Sequence, residues 1–201
     1  MGHVGHTVCP WWLGWALANP VRKLLQDPAA ILAPHLRRGM TVLEPGPGMG
    51  FFTLEAARRV APTGRVVAVD LQPQMLEGLR RRAERARLGR YIEPRQAAPD
   101  SLGVEDLAGR VDVVLAFAVV HELPDAGRFF AEVRRALSPQ GRVLLAEPSG
   151  HVSAQAFEAT LAVARREGLK DEPGPAVWRS RTAVLALAPE GFLPAVGAVP
   201  G

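Results

Sequence analysis

Followed by the period of its apolar positions, the chain falls into short blocks of two kinds. The runs "MTVLEP", "RVVAVD" and "VDVVLAFAV" are continuously apolar over a length that suits buried strands. Between them, "FFTLEAARRV", a segment from about Pro73 to Leu88, and "PDAGRFFAEVRRAL" carry apolar residues at helical spacing, the first stopped before Pro62. A weaker strand at "YIEPRQ" and a short helical turn near "VEDLAG" follow the second helix. A turn at Ser138-Pro139-Gln140-Gly141 leads into a strand "RVLLAE", and a helix from about Ser153 to Glu167 comes next. "AVW" and "RTAVLALA" are separated by too few residues for a crossover helix, so an antiparallel pair is predicted there. At the front, Asn19-Pro20 and Asp27-Pro28 each place a capping side chain before proline, which predicts two short helices ahead of Gly39. The alternation implies an α/β fold with a mostly parallel sheet covered on both faces, followed from Pro189 by a loose tail.

Composition narrows the setting. With 201 residues, 48% of them hydrophobic, the chain suits one domain with a single core. Its one cysteine, Cys9, cannot close an internal disulfide, and no Cys/His spacing resembles a zinc site, so a reducing cytoplasm is expected and no metal is assigned. The apolar run Trp11 to Ala18 is far shorter than the roughly 20 residues of a membrane span. Ala16-Leu17-Ala18 resembles a signal cleavage site, but no Lys or Arg precedes it and Pro10 interrupts the approach. Net charge is +4 and the positive charge is mostly arginine, densest in "LRRRAERARLGR". A solvated helix face explains that cluster; an RNA-binding patch competes, but no aromatic residues interleave to stack bases.

The turn "VLEPGPGMGFF" sets Glu44, Gly46, Gly48 and Gly50 between a strand and a helix. A dinucleotide fingerprint would need glycine where Phe51 stands, and its pyrophosphate would meet the carboxylate of Glu44. A ligand carrying an ammonium and a sulfonium would instead be attracted. Asp70, at the end of the next strand, can accept both hydroxyls of a ribose. "EPGPGMG" followed by "VVAVDLQPQML" closely resembles the class I S-adenosylmethionine-dependent methyltransferases of small-molecule type, over roughly residues 38–188. The resemblance implies a Rossmann-like seven-stranded sheet with an antiparallel last strand. It also implies that Glu44 to Gly50 surround the methionine part of S-adenosylmethionine, that Asp70 holds the ribose and that Leu71 packs on the adenine. Where the family often has an acidic residue after the third strand this chain has Ala98, so Asp100 or backbone groups are left to read the adenine amino group.

In an open parallel sheet, ligands bind beyond the carboxyl ends of the strands. Two predicted strands end at "AFAVVHELPD" and "AEPSGHV", bringing Phe117, His121 and Glu122 to the same rim as Glu147 and His151. Phe117 is assigned to the cofactor, Glu147 to the substrate pocket, and His121, His151 and Glu122 to catalysis, since histidine can take a proton from an attacking nucleophile. A structural role at a strand end competes for either histidine alone; their convergence favours a site. The motif of base amino methyltransferases after the fourth strand is replaced by Ala116-Phe117-Ala118-Val119, and no cysteine stands there for C5-methylation of cytosine. A small-molecule acceptor is therefore expected, with RNA methylation and a non-catalytic S-adenosylmethionine-binding partner protein as the alternatives.

The segment "HTVCPWWLGWALANP" holds Cys9, Trp11 and Trp12 ahead of the first strand. Together with "AFAVVHE" and "EPSGHV" it resembles a bacterial and archaeal subgroup of these enzymes, in which residues before the first strand fold over the cofactor and wall the pocket. Residues 1–37 are thus expected to form a helical lid on a 38–188 methyltransferase domain, with 189–201 as the tail. Tryptophans that merely seal the sheet edge are the competing reading. Cys9 is either a small hydrophobe or, facing imidazoles from His121, His151 and His6, a ligand for a soft acceptor such as a thiol, selenium or metalloid species. The oligomeric state is left open.

Overall fold

The computed structural model describes residues 26–189. They build one seven-stranded sheet from β1 (Thr41–Pro45), β2 (Arg65–Asp70), β3 (Ile92–Gln96), β4 (Val111–Phe117), β5 (Leu137–Pro148), β6 (Leu169–Pro173) and β7 (Ser180–Leu187). Their spatial order is β3-β2-β1-β4-β5-β7-β6, with β7 antiparallel to both neighbours and the other pairings parallel. The order reverses between β1 and β4, which opens a crevice at the carboxyl ends of those strands. The Rossmann-like fold with an antiparallel last strand is thus as expected.

Helices cover both faces because each central strand is apolar on both sides. On one face α1 (Pro28–Leu32), α2 (Thr53–Val60) and α3 (Pro73–Arg85) pack Leu32, Ala57, Val60 and Leu79 on Val42, Val66 and Leu144. On the other, α4 (Ala126–Ala136) and α5 (Ala154–Arg166) pack Phe130, Val133 and Leu161 on Leu43, Val114 and Leu145. The predicted Asp27 cap is in place, and a second cap stands at the start of the helix predicted from about Ser153. Asp27 accepts the amide of Ala29 before Pro28, and Ser153 accepts that of Ala156 at the start of α5.

Two expectations change. The turn at Ser138 to Gly141 is absorbed into β5: Val111 pairs with Leu137 and Val113 with Arg142, so the extra residues form a bulge within one strand. "AVW" is not a strand, and the partner of β7 is instead the polar run "LKDEP". That run is an edge strand in which only Leu169 is buried, while Asp171 is gripped by Arg165 of α5 at 2.6 Å and Lys170 pairs with Glu172, so its pattern carried no apolar signal. The described part of the expected lid, residues 26–37, sends Ile31, Leu32 and Leu36 into the core beside α2 and does not line the crevice. Cys9, Trp11, Trp12, His6 and the Asn19-Pro20 helix lie outside the described residues, as does the tail from residue 190. No described helix is long and apolar enough to cross a membrane.

Candidate active site

The carboxyl ends of β1, β2 and β4 open into a cavity of about 970 Å³. This lies toward the upper end of the range of about 300–1,000 Å³ usual for ligand pockets. Glu44, Gly46, Gly48, Asp70, Leu71, Asp100, Phe117, His121, Glu122 and His151 all contribute to its wall. Gly50, one turn deeper, does not; it lets the loop pack on α3.

The acidic end is built by the first two strands. Glu44 is buried at the end of β1, and its Oε2 has no hydrogen-bond partner. Burial pushes its carboxyl up to about 8, and the neighbouring Thr53 hydroxyl offsets only part of that rise. Asp70 ends β2 with Oδ1 accepting the amide of Gln72 at 2.9 Å. Burial pushes it up to about 6 against the pull of the Gln72 and Gly48 amides, and the charge of Glu122 adds to the rise. Between the two carboxylates the glycine loop turns through positive φ at Gly46 and Gly48. A Cβ at Gly48 would stand in open space, so a ligand can approach the backbone there.

The opposite rim is built by the ends of β4 and β5. His121 lies in a 3-10 turn at Val120–Glu122, and its ring faces that of His151 at 6.1 Å, nearly perpendicular. Nδ1 of His121 is hydrogen-bonded to Oε2 of Glu147, and Glu122 Oε1 stands 4.0 Å from its Nε2. The bond to Glu147 raises the imidazole above its ordinary range; burial opposes this in part and Glu122 reinforces it. Glu147 itself is a correction. Expected in the substrate pocket, it is only 1% exposed and sits behind His121, outside the cavity wall, where its other oxygen accepts the amide of Val120 at 2.8 Å. Its place inside β5 explains this, because side chains on either face of a strand covered on both sides are buried.

Asp100 reaches the cavity but is 68% exposed, with Oδ2 taken by Arg128 Nη1 at 3.2 Å. Among the wall residues that escaped the sequence reading are Glu132, Ala118 and Phe52. Glu132, buried on α4, accepts the amide of Leu102 at 2.8 Å and the hydroxyl of Ser101 at 3.3 Å, fixing the loop after β3. Its signal was a carboxylate on the inward stripe of Phe129, Val133 and Ala136. Ala118 holds φ +54° directly after β4, a strained geometry that sequence does not announce. Phe52 packs edge-on against Phe117 at 4.5 Å. Among the described residues no group of three or more His, Cys, Asp and Glu is arranged to hold a metal ion.

A family model described as a methyltransferase domain matches residues 43–145, half of the chain, from the first strand through the fifth. The chain belongs to the class I S-adenosylmethionine-dependent methyltransferases. It is 35% identical over 118 residues to an arsenite methyltransferase of Halobacterium salinarum, covering 59% of this chain and 28% of that one. It is 34% identical over 122 residues to a ubiquinone/menaquinone biosynthesis C-methyltransferase, UbiE, of Idiomarina loihiensis, covering 59% and 47%. The chain thus spans less than half the length of either relative. In fold it matches a SAM-dependent methyltransferase of Aquifex aeolicus with a TM-score of 0.78 at 23% identity, over 90% of this chain and 99% of that one.

The cofactor of this methyltransferase family is S-adenosylmethionine, and the residues present fit it. The buried, unpartnered Oε2 of Glu44 suits the ammonium, the open side of Gly48 admits close approach, and Asp70 suits the ribose hydroxyls. When bound, the group supplies a methyl already activated by its sulfonium.

Proposed function

We propose that the protein transfers a methyl group from S-adenosylmethionine to a small-molecule nucleophile, and that His121, His151 and Glu122 line the acceptor side. The single observation that carries this reading is the division of the cavity. Glu44 and Asp70 come from the ends of β1 and β2, and the paired histidines from the segments after β4 and β5, on the other side of the reversal in strand order. In-line displacement at an activated methyl needs the nucleophile positioned and water excluded, and a cavity lined mainly by apolar residues such as Leu71, Phe117, Leu123 and Phe129 supports both. The names of the arsenite and quinone-pathway relatives point the same way. Within the adenosyl site, Phe117 and Leu71 supply apolar surface for the cofactor, and Asp100 or backbone groups after β3 meet the adenine edge.

The test is transfer of labelled methyl from S-adenosylmethionine by the purified protein, with small metabolites and total RNA offered separately at physiological salt. Incorporation into the metabolite fraction supports the reading. Robust incorporation into RNA would replace it with RNA methylation, and cofactor binding without transfer to either would favour a non-catalytic role.

A further inference from the structure

The carboxylate of Glu147 has no access to the cavity, yet it shapes what the cavity can do. It is 1% exposed on β5, and both of its oxygens are committed, one to the amide of Val120 at 2.8 Å and one to Nδ1 of His121. The bond to Val120 fixes the 3-10 turn that carries His121, and the bond to Nδ1 fixes the ring within that turn. A carboxylate can only accept, so in neutral imidazole the proton stays on Nδ1 and the lone pair is left on Nε2. His121 lines the cavity, and its Nε2 is the nitrogen that Glu147 does not occupy.

We propose that Glu147 is a positioning residue that fixes His121 as a base at Nε2, and that the acceptor is accordingly one that gives up a proton from oxygen, nitrogen, sulfur or selenium. The inference rests on the methyltransferase reading above and narrows its acceptor. In the step, the X–H proton of the acceptor passes to Nε2 while X forms its bond to the methyl carbon and the methyl–sulfur bond breaks. The sulfonium's positive charge is thereby exchanged for that of the imidazolium, which Glu147 balances. An acceptor that attacks through a lone pair with no proton to lose, such as trivalent arsenic or a dialkyl selenide, makes no use of this pair.

The charged and titratable groups facing His121 are Glu147 from β5, Glu122 from its own turn and His151 from the loop after β5, with Asp70 at the end of β2 coupled to Glu122. Arg181, paired with Glu147 across β7, donates its Nε to the carbonyl of Val152. The carboxylates outnumber the cations here. His121 is therefore held toward its protonated form, and the base is available only above its raised midpoint.

Two measurements test this on the full chain. Nitrogen-15 spectra of histidine-labelled protein with S-adenosylhomocysteine should show neutral His121 carrying its proton on Nδ1, and Glu147→Gln should lower its titration midpoint while Glu147→Asp restores part of it. A proton on Nε2 in the parent, or the same midpoint in parent and Glu147→Gln, overturns the positioning role; the parent spectrum decides even if the variants fail to fold. The acceptor class is tested with labelled cofactor and four probes: catechol, benzenethiol, dimethyl selenide and arsenite with glutathione. Turnover should fall on catechol or benzenethiol, should rise with pH through the His121 midpoint and should drop about 100-fold in His121→Ala, the usual reach of general base catalysis. Transfer confined to dimethyl selenide or arsenite, or none to a protic probe, overturns the acceptor class. Failure to bind S-adenosylhomocysteine would instead strike the methyltransferase reading itself.

Discussion

Gly50 and Leu79 pack so closely that a Cβ at Gly50 would stand 2.5 Å from Cδ1 of Leu79, and Gly50 itself holds φ +84°. Leu79 is fully buried in α3, so it has little room to yield. Gly50→Ala combines overpacking with a left-handed backbone and should cost about 2 kcal/mol or more of stability. Denaturant unfolding should show the loss, and calorimetry should show weaker S-adenosylhomocysteine binding because the same loop lines the cavity proposed to hold it. Unchanged values for both would mean that the loop is not held by this contact.

The carboxyl of Glu44, pushed up to about 8 by burial, is mostly protonated at pH 7 in the ligand-free protein. An ammonium beside it favours the charged form, so binding at pH 7 should release protons. Calorimetry in buffers of different ionisation enthalpy reads that release, and Glu44→Gln should remove the Glu44 share while weakening binding. Without ligand the linkage concerns stability. The folded value of about 8 exceeds the ordinary 4.5, so the contribution of Glu44 to stability is full below about 4.5 and is lost as pH rises to 8. Glu44→Gln should flatten the fall.

Glu132 holds the amide of Leu102 at 2.8 Å and the hydroxyl of Ser101 at 3.3 Å from within the cavity wall. Glu132→Ala strands a part-buried donor and should cost about 1–3 kcal/mol in denaturant unfolding. Faster hydrogen exchange confined to residues 97–102 would locate the effect. An exchange pattern identical to the parent would remove this loop from the account.

The first five strands along the chain and the position of the acidic end were legible in the sequence because both depend on local signals. Continuous apolar runs mark strands buried on two faces, and Glu44, the glycines and Asp70 sit at strand ends that the pattern itself defines. What was not legible depends on the third dimension. Glu147 looked like a rim residue because strand-end position says nothing about which face a side chain takes once helices cover both. "LKDEP" was missed because an edge strand is held by backbone pairing and ion pairs, with only Leu169 buried. Glu132 left a trace, a carboxylate on an apolar helical stripe, but its partners come from a loop about thirty residues earlier.

Of the two sequence readings of Cys9, next to Pro10, Trp11 and Trp12, a ligand for a soft acceptor makes a prediction that a small hydrophobe does not. Cys9→Ser should bind cofactor like the parent while losing turnover of thiol or selenol acceptors more than of phenols, since serine is a harder ligand. Equal turnover on every acceptor found would reduce Cys9 to packing.

On the function proposed above, the carboxylates of Glu44 and Asp70 hold a cationic adenosyl ligand. Calorimetric titration of the purified protein with S-adenosylmethionine and S-adenosylhomocysteine, repeated on Asp70→Ala, tests it most directly. Both should bind saturably, and Asp70→Ala should weaken binding by about 1.5–3 kcal/mol as charged hydrogen bonds are lost. Tighter binding of a nicotinamide dinucleotide, or affinity for S-adenosylmethionine that Asp70→Ala leaves untouched, would contradict it.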